Sequence, residues 1–163
     1  MKDIIEKVLE SAVLAPSGEN CQPWKFSITG NQIFIFNVPE SDTSPYNFRQ
    51  NGSLVAHGAL LENISIASSA LGYKTKISLF PDQMKSDLVA IATLEKSSPT
   101  DENLFLYIDK RATNRKTYKN TFLTADQKNN LLNVADEIGQ GKIILIEDAK
   151  QRDIVGQAVS VTD

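Results

Sequence analysis

The spacing of apolar residues predicts two helices in the first half of the chain. Over residues 3–14 the apolar positions recur every three or four residues, which is typical of an amphipathic helix. Asp3 is suited to begin this helix through a capping box, and Pro16 is expected to end it. Residues 53–71 are apolar or small on nearly every side, so we expect a long buried helix that is capped by Gly72.

A period of two residues marks the strands of the first half. Strands are expected at residues 24–28, 32–38, 74–80 and 88–95. The first two flank Gly30 and Asn31 and form a predicted hairpin, whereas residues 39–52 hold two prolines and are expected to be a loop. Residues 88–95 are apolar almost without interruption, which favours a central position in the sheet.

The second half of the chain carries mostly helical patterns. Thr100 is suited to begin a helix that runs to about Arg111, and Thr124 is suited to begin another that ends at Gly139. A strand is expected over residues 142–147, followed by a last helix that Asp148 opens. Because helices and short strands are mixed along the chain, the pattern predicts an α+β fold.

Composition narrows the classes of function. At 163 residues and 18.0 kDa, with 41% hydrophobic residues, the chain suits one domain with its own core. A net charge of −3 gives no electrostatic basis for nucleic-acid binding, and no apolar run is suited to span a membrane. One cysteine and one histidine argue against a disulfide framework, a metal site and Ser-His-Asp catalysis. We therefore expect a cytoplasmic protein without a metal.

The run A-P-S-G-E-N-C-Q-P-W, from Ala15 to Trp24, is the first candidate binding segment. Ser17, Gly18 and Asn20 can offer hydrogen bonds to the ring edge or ribityl hydroxyls of a flavin, and Gly18 permits close approach. Gln22 either fixes the loop or touches the cofactor. Alternatively, the run is a plain helix-to-strand connection in which Pro, Ser, Gly and Asn serve turn chemistry alone.

Arg111, Thr113 and Arg115 form the second candidate cluster, within the run R-A-T-N-R. Two arginines on either side of a hydroxyl can grip a terminal phosphate from several directions. The alternative is a solvated basic helix end, which the helix dipole favours there. The two clusters together indicate a site for flavin mononucleotide, FMN.

Other reactive or aromatic side chains have plainer interpretations. Cys21 is expected to be an inert small side chain, because no partner base stands near it in sequence, and His57 to be structural within its apolar helix. Tyr46, Phe48 and Arg49 are either the wall of a substrate pocket or ordinary surface-loop residues.

These segments resemble the flavin-dependent nitroreductase family. The A-P-S-G-E-N-C-Q-P-W run resembles the loop with which that family contacts FMN through a proline, a serine, a small residue and an asparagine. The resemblance assigns this contact to Pro16, Ser17, Gly18 and Asn20. It also implies a central mixed or antiparallel sheet packed by helices around the long buried helix.

Two further segments carry the resemblance. Residues 58–72, G-A-L-L-E-N-I-S-I-A-S-S-A-L-G, resemble the family's long central helix, which helps to build the dimer core. R-A-T-N-R followed by Tyr118 resembles the phosphate-binding motif Arg-x-Ser-x-Arg/Lys, with Thr113 in place of the usual serine. In the family's ordinary dimers, the phosphate motif comes from one subunit and the loop from the other. The resemblance therefore implies a homodimer or a pseudo-dimer.

The order of the motifs differs from the usual family pattern, in which the phosphate motif comes first. The order here resembles a subgroup in which two nitroreductase-like halves are fused in one chain. On this interpretation residues 1–163 form a single nitroreductase-like domain that is truncated: residues 1–98 are a first half and residues 99–163 begin a second. The last helix is still amphipathic where the chain stops, which agrees with that expectation.

The resemblance implies an FMN-dependent oxidoreductase that carries hydride through flavin N5 from NAD(P)H to a small-molecule electron acceptor, such as a nitro compound or a quinone. No side chain need act as an acid or a base, since the cofactor does the redox chemistry. The alternative function is a non-catalytic nitroreductase-like module that binds flavin or another small molecule, or only dimerises. A third interpretation is a fragment whose function needs residues beyond Asp163.

Overall fold

The computed structural model describes residues 1–82, 84–99, 102–117, 119, 121–139 and 141–160. Within these, the chain divides into a first unit, Met1–Thr113, and a second unit, Asn114–Asp163. This grouping by contacts does not test the division into a first half and the beginning of a second half, which stays a prediction.

A four-stranded antiparallel sheet lies at the centre of the first unit. Its strands are β1 (Trp24–Thr29), β2 (Gln32–Asn37), β3 (Tyr73–Leu79) and β4 (Leu88–Lys96). The order in the sheet is β1-β2-β4-β3, so the apolar strand β4 is central, as predicted. The predicted hairpin is confirmed as well: Gly30, with a φ of +60°, makes the turn, and Thr29 pairs with Gln32. All four strand predictions are correct to within one residue at each end.

Three helices complete the first unit: α1 (Lys2–Ala12), α2 (Asn51–Ala70) and α3 (Glu102–Ile108). The long helix α2 packs against α1, α3 and strands β2, β3 and β4, so it is the centre of the hydrophobic core. The fully buried side chains of this core include Ile5, Val8, Ile33, Ile35, Leu60 and Ile64. The α+β prediction is therefore confirmed, with a long helix that packs between the other helices and the sheet.

The start of α1 differs from the sequence analysis, and the predicted start of α3 is not tested. The predicted capping box of α1 is wrong: the helix begins at Lys2, so Asp3 lies inside its first turn, and the N-cap residue Met1 makes no side-chain cap. An acidic residue in the first turn still favours the helix through its dipole. The predicted cap of α3, Thr100, lies outside the described residues.

Helix α2 begins earlier and is less completely buried than its sequence predicts. Within the segment expected to be a loop, two 3₁₀ turns, Pro39–Ser41 and Pro45–Gln50, precede a helix that already starts at Asn51. One face of α2 stays exposed, and Val55 on that face is 75% exposed. No helix within the described ranges combines the length and the apolar character that a membrane crossing requires.

Gly72 ends α2 as predicted, with a φ of +80° directly after the last helical turn. A Cβ atom at this position would lie 3.3 Å from the carbonyl oxygen of Ser97 and would require a strained backbone. We expect Gly72→Ala to lower the free energy of unfolding by about 1 to 2 kcal/mol. Chemical denaturation measures the loss. Gly141→Ala is the control, because open space surrounds Gly141, and an equal loss in both variants would contradict the explanation.

The second unit contains helices α4 (Ala125–Ile138) and α5 (Ala149–Ser160). The predicted capping box of α4 is confirmed: the N–H of Gln127 donates to Thr124 Oγ1 at 3.2 Å, and the N–H of Thr124 donates to Gln127 Oε1 at 2.9 Å. Residues 142–147, however, form no strand. A strand needs a partner for its backbone groups, and none of the four described strands pairs with this segment.

Candidate functional site

The candidate loop between α1 and β1 is held by buried residues at both ends. Ala15 is 2% exposed, and Pro23 is fully buried before Trp24 enters the sheet. The Trp24 ring packs edge-on against the ring of His57, with 6.2 Å between their centres. Between these anchors, Pro16, Gly18, Asn20 and Gln22 are exposed and Ser17 is half-buried.

Hydrogen bonds within the loop fix its shape. The Ser17 Oγ atom accepts the N–H of Gln22 at 3.0 Å, and the Gly18 carbonyl accepts the N–H of Cys21 at 2.8 Å. Asn20 and Gln22 adopt left-handed φ angles of +59° and +47°. Backbone of this kind is strained for residues other than glycine and persists only where the surroundings hold it.

The strained loop leaves several polar groups available to a ligand. Neither the Asn20 nor the Gln22 side chain makes a hydrogen bond to any described residue. The Ser17 hydroxyl accepts a hydrogen bond through its oxygen, so its own proton remains available for donation. The loop can therefore present a hydroxyl and two amides outward without breaking an existing contact.

A shallow cleft of about 190 Å³ runs between this loop and the first two turns of α2. Its walls are Pro16, Ser17 and Gly18 from the loop and Gly52, Val55, Ala56 and Ala59 from the helix. These side chains are small, so a planar ligand could approach the backbone closely. Gly18 also lies close to Asp42: a Cβ atom at Gly18 would lie 3.2 Å from Asp42 Oδ2.

A buried asparagine organises the segment beside the cleft. Asn47 is 5% exposed, and its Nδ2 atom donates to the Asp42 carbonyl at 2.8 Å and to Ser53 Oγ at 3.0 Å. Its Oδ1 atom accepts the N–H of Ser53 at 3.0 Å, which satisfies one free donor of the first turn of α2. Sequence analysis missed this network, although an asparagine shortly before a helix is a known capping signal.

The structure describes Arg111, Thr113 and Arg115 as exposed residues outside regular structure. The boundary between the two units falls directly after Thr113, so Arg111 and Thr113 belong to the first unit and Arg115 to the second. No hydrogen bond or ion pair joins Arg111 or Thr113 to the candidate loop within the described part of the first unit. The prediction that the two clusters serve one site stays a prediction.

His57 has the surroundings of a structural residue. It is 1% exposed, with Nδ1 2.8 Å from the Ser53 carbonyl oxygen and Nε2 3.5 Å from the Phe36 carbonyl oxygen. Both ring nitrogens thus face backbone acceptors, and the ring packs against Trp24. This buried environment supports the structural interpretation.

A solved structure shares much of this α+β fold. A protein from Clostridium acetobutylicum named "Putative NADH Oxidase" aligns with a TM-score of 0.51 at 16% identity, over 62% of this chain and 80% of that chain. A protein from Desulfovibrio desulfuricans described as "a putative nitroreductase in complex with fmn" aligns with a TM-score of 0.49 at 16% identity, over 76% of this chain and 87% of that chain.

The similarity in sequence is to proteins that are named nitroreductases. The chain is 26% identical over 118 residues to proteins from two strains of Mycobacterium tuberculosis named "Putative NAD(P)H nitroreductase". The alignment covers 71% of this chain and 34% of each relative, so the chain spans about a third of their length. No protein-family model matches the chain. The resemblance to the nitroreductase family is thereby confirmed.

Proposed function

We propose that the chain is an FMN-dependent oxidoreductase of the nitroreductase type, which takes electrons from NAD(P)H and delivers them to a nitro compound, a quinone or a similar acceptor. The observation that carries this proposal is the strained, exposed loop from Pro16 to Gln22 beside a cleft of small residues. Strained backbone and unpaired polar groups cluster where proteins bind ligands, and this loop has both.

The groups available in the loop fit the polar edge of a flavin ring. The Ser17 hydroxyl can donate to a ring carbonyl or a ribityl oxygen, and the Asn20 and Gln22 amides can both donate and accept. Arg111, Thr113 and Arg115 would hold the phosphate through charge-assisted hydrogen bonds. When bound, FMN supplies the hydride chemistry through its N5 atom, while these residues orient it. None of them needs to transfer a proton.

We propose further that the binding site is assembled between two copies of the chain or between two halves of a fused protein, residues 1–98 and residues beginning at 99. The exposed face of α2 supports an association of this kind. Val55 is 75% exposed on it, and a Cβ atom at Gly58 would meet nothing within 4 Å. A helix face that exposes Val55 and Gly58 permits close packing of a second helix, which favours a homodimer.

An absorbance scan of the purified protein tests the cofactor assignment. The protein is scanned as isolated and again after incubation with FMN and desalting. We expect flavin absorbance bands that correspond to about one FMN per chain. In a second assay, the FMN-loaded protein should oxidise NAD(P)H once an acceptor is added. A colourless protein after loading would overturn the proposal that this chain binds FMN.

Gly18→Val is expected to weaken FMN binding at least tenfold while leaving the fold intact. The valine methyl groups would occupy the cleft wall, and their Cβ would stand 3.2 Å from Asp42 Oδ2. Because the loop is exposed, thermal unfolding should change little. Fluorescence titration with FMN measures the affinity, with Gly141→Val as the control in open space. Equal affinities for the two variants would contradict the role of the cleft.

A non-catalytic nitroreductase-like module is the second candidate function. One observation favours it: the exposed Val55 on α2 suits packing against another chain, which requires no cofactor. Stoichiometric FMN without NAD(P)H oxidation would support this candidate. Turnover with any nitro or quinone acceptor would exclude it.

A further inference from the structure

Two large aromatic side chains stand on the surface beside the candidate flavin loop. Tyr46 is 74% exposed and Phe48 is 68% exposed, whereas Asn47 between them is buried. The loop is close by, because the same Asp42 that accepts from Asn47 Nδ2 lies against Gly18. Exposed aromatic rings offer large, rigid contact areas and are enriched where proteins bind ligands.

The backbone that carries these rings is fixed rather than loosely held. The three hydrogen bonds of Asn47 tie it to Asp42 and Ser53, and the Phe48 carbonyl accepts the N–H of Asn51 at the start of α2. Such anchoring lowers the entropic cost of binding a ligand on the two rings, since little backbone freedom remains to be lost.

Arg49 adds an unpaired positive charge to the same surface. Its guanidinium carbon lies 5.2 Å from the centre of the Phe48 ring, within the range of a cation–π contact. Within the described part of the chain, Arg49 forms no ion pair with a carboxylate. Its backbone is held at a left-handed φ of +54°, an unusual conformation for an arginine.

We propose that Tyr46, Phe48 and Arg49, here named the aromatic surface, select planar aromatic acceptors that carry a negative group. The two rings stack on the acceptor, and the Arg49 guanidinium pairs with its carboxylate or similar anion. Arg49 is then a specificity-determining residue of the site. This inference rests on the proposed oxidoreductase function for its biological meaning, but the binding itself does not require FMN.

Binding of two small probes tests the proposal on the whole chain without added FMN. The probes are 4-nitrobenzoate and the uncharged 4-nitrobenzyl alcohol, and backbone amide shifts report where each binds. We expect the shifts to cluster at residues 46–51, with tighter binding of 4-nitrobenzoate. Arg49→Gln should lower the affinity for 4-nitrobenzoate by roughly threefold to fivefold, which is the effect expected for the loss of an exposed ion pair. The same variant should leave the affinity for the uncharged 4-nitrobenzyl alcohol unchanged.

Two further variants complete the experiment. Lys7→Gln removes one exposed positive charge from α1 and should change neither affinity. Phe48→Leu should lower the affinity for both probes, because both are expected to stack on the Phe48 ring. Shifts centred elsewhere, or an equal effect of Lys7→Gln and Arg49→Gln, would overturn the proposal. Failure to retain FMN would overturn the oxidoreductase proposal alone, since neither probe needs the cofactor to bind.

Discussion

A variant that carries both Arg111→Ala and Arg115→Ala is expected to bind FMN about a hundredfold more weakly than the unsubstituted chain. Each guanidinium is expected to donate charge-assisted hydrogen bonds to the phosphate, each worth about 1.5 to 3 kcal/mol. Both residues are exposed and form no ion pair with any described carboxylate, so their loss should not disturb the fold. Quenching of flavin fluorescence during titration gives the affinity.

The control for this experiment removes the same number of positive charges at positions far from the motif in sequence. Lys150 and Arg152 lie exposed on α5, and their replacement by alanine also removes two positive charges. The control should lose only the small part of the affinity that depends on net charge. An unchanged affinity in the Arg111/Arg115 variant would overturn the phosphate assignment.

Mixing two defective variants shows whether the site is shared between copies. The Arg111/Arg115 variant keeps an intact loop, and Gly18→Val keeps an intact phosphate motif. In a two-fold dimer that assembles each site from both copies, random exchange should restore about one site in four. Restored binding would support assembly between copies. A mixture with no binding beyond that of its components would indicate a site built within one chain.

Local patterns predicted most of the fold because the decisive interactions are close in sequence. The Gly30 turn, the Gly72 cap and the Thr124 capping box each depend on a few neighbouring residues, and each is confirmed. The central place of β4 could also be predicted, because only a strand covered on both sides tolerates so continuous an apolar sequence.

The errors arise where tertiary context decides. Residues 142–147 have a suitable apolar pattern, but a strand also needs a partner, which no sequence pattern supplies. The exposure of Val55 could not be predicted either, because a helix sequence that is apolar on every side does not indicate which side stays exposed.

The candidate site was only partly predictable for a similar reason. The loop from Pro16 to Gln22 could be singled out by its run of turn-forming and amide residues, and the structure shows it exposed and strained. The support from Asp42, Asn47 and Ser53 depends on hydrogen bonds between side chains and backbone. Such bonds need three-dimensional positions that the spacing of residues does not define.

Asn47→Ala is expected to lower the free energy of unfolding by about 2 to 3 kcal/mol, because it leaves buried partners without hydrogen bonds. The variant frees the N–H of Ser53 and the carbonyl of Asp42, and Ser53 is only 1% exposed. The first turn of α2 also loses the side chain that accepts one of its free N–H groups. Urea unfolding followed by the fluorescence of Trp24, the single tryptophan, measures the change.

Asn63→Ala is the matched control, since the Asn63 amide makes only long contacts of 3.5 Å with the carbonyls of Ser11 and Ala12. Its loss should cost less than about 1 kcal/mol. Equal effects of the two variants would mean that the Asn47 network does not stabilise α2. If the network also fixes the aromatic surface, Asn47→Ala should weaken the binding of 4-nitrobenzoate under conditions where the protein is still folded, although Asn47 itself is buried. The stability of the start of α2 and the affinity for 4-nitrobenzoate would then decline together, because the same Asn47 side chain supports the helix start and the aromatic surface.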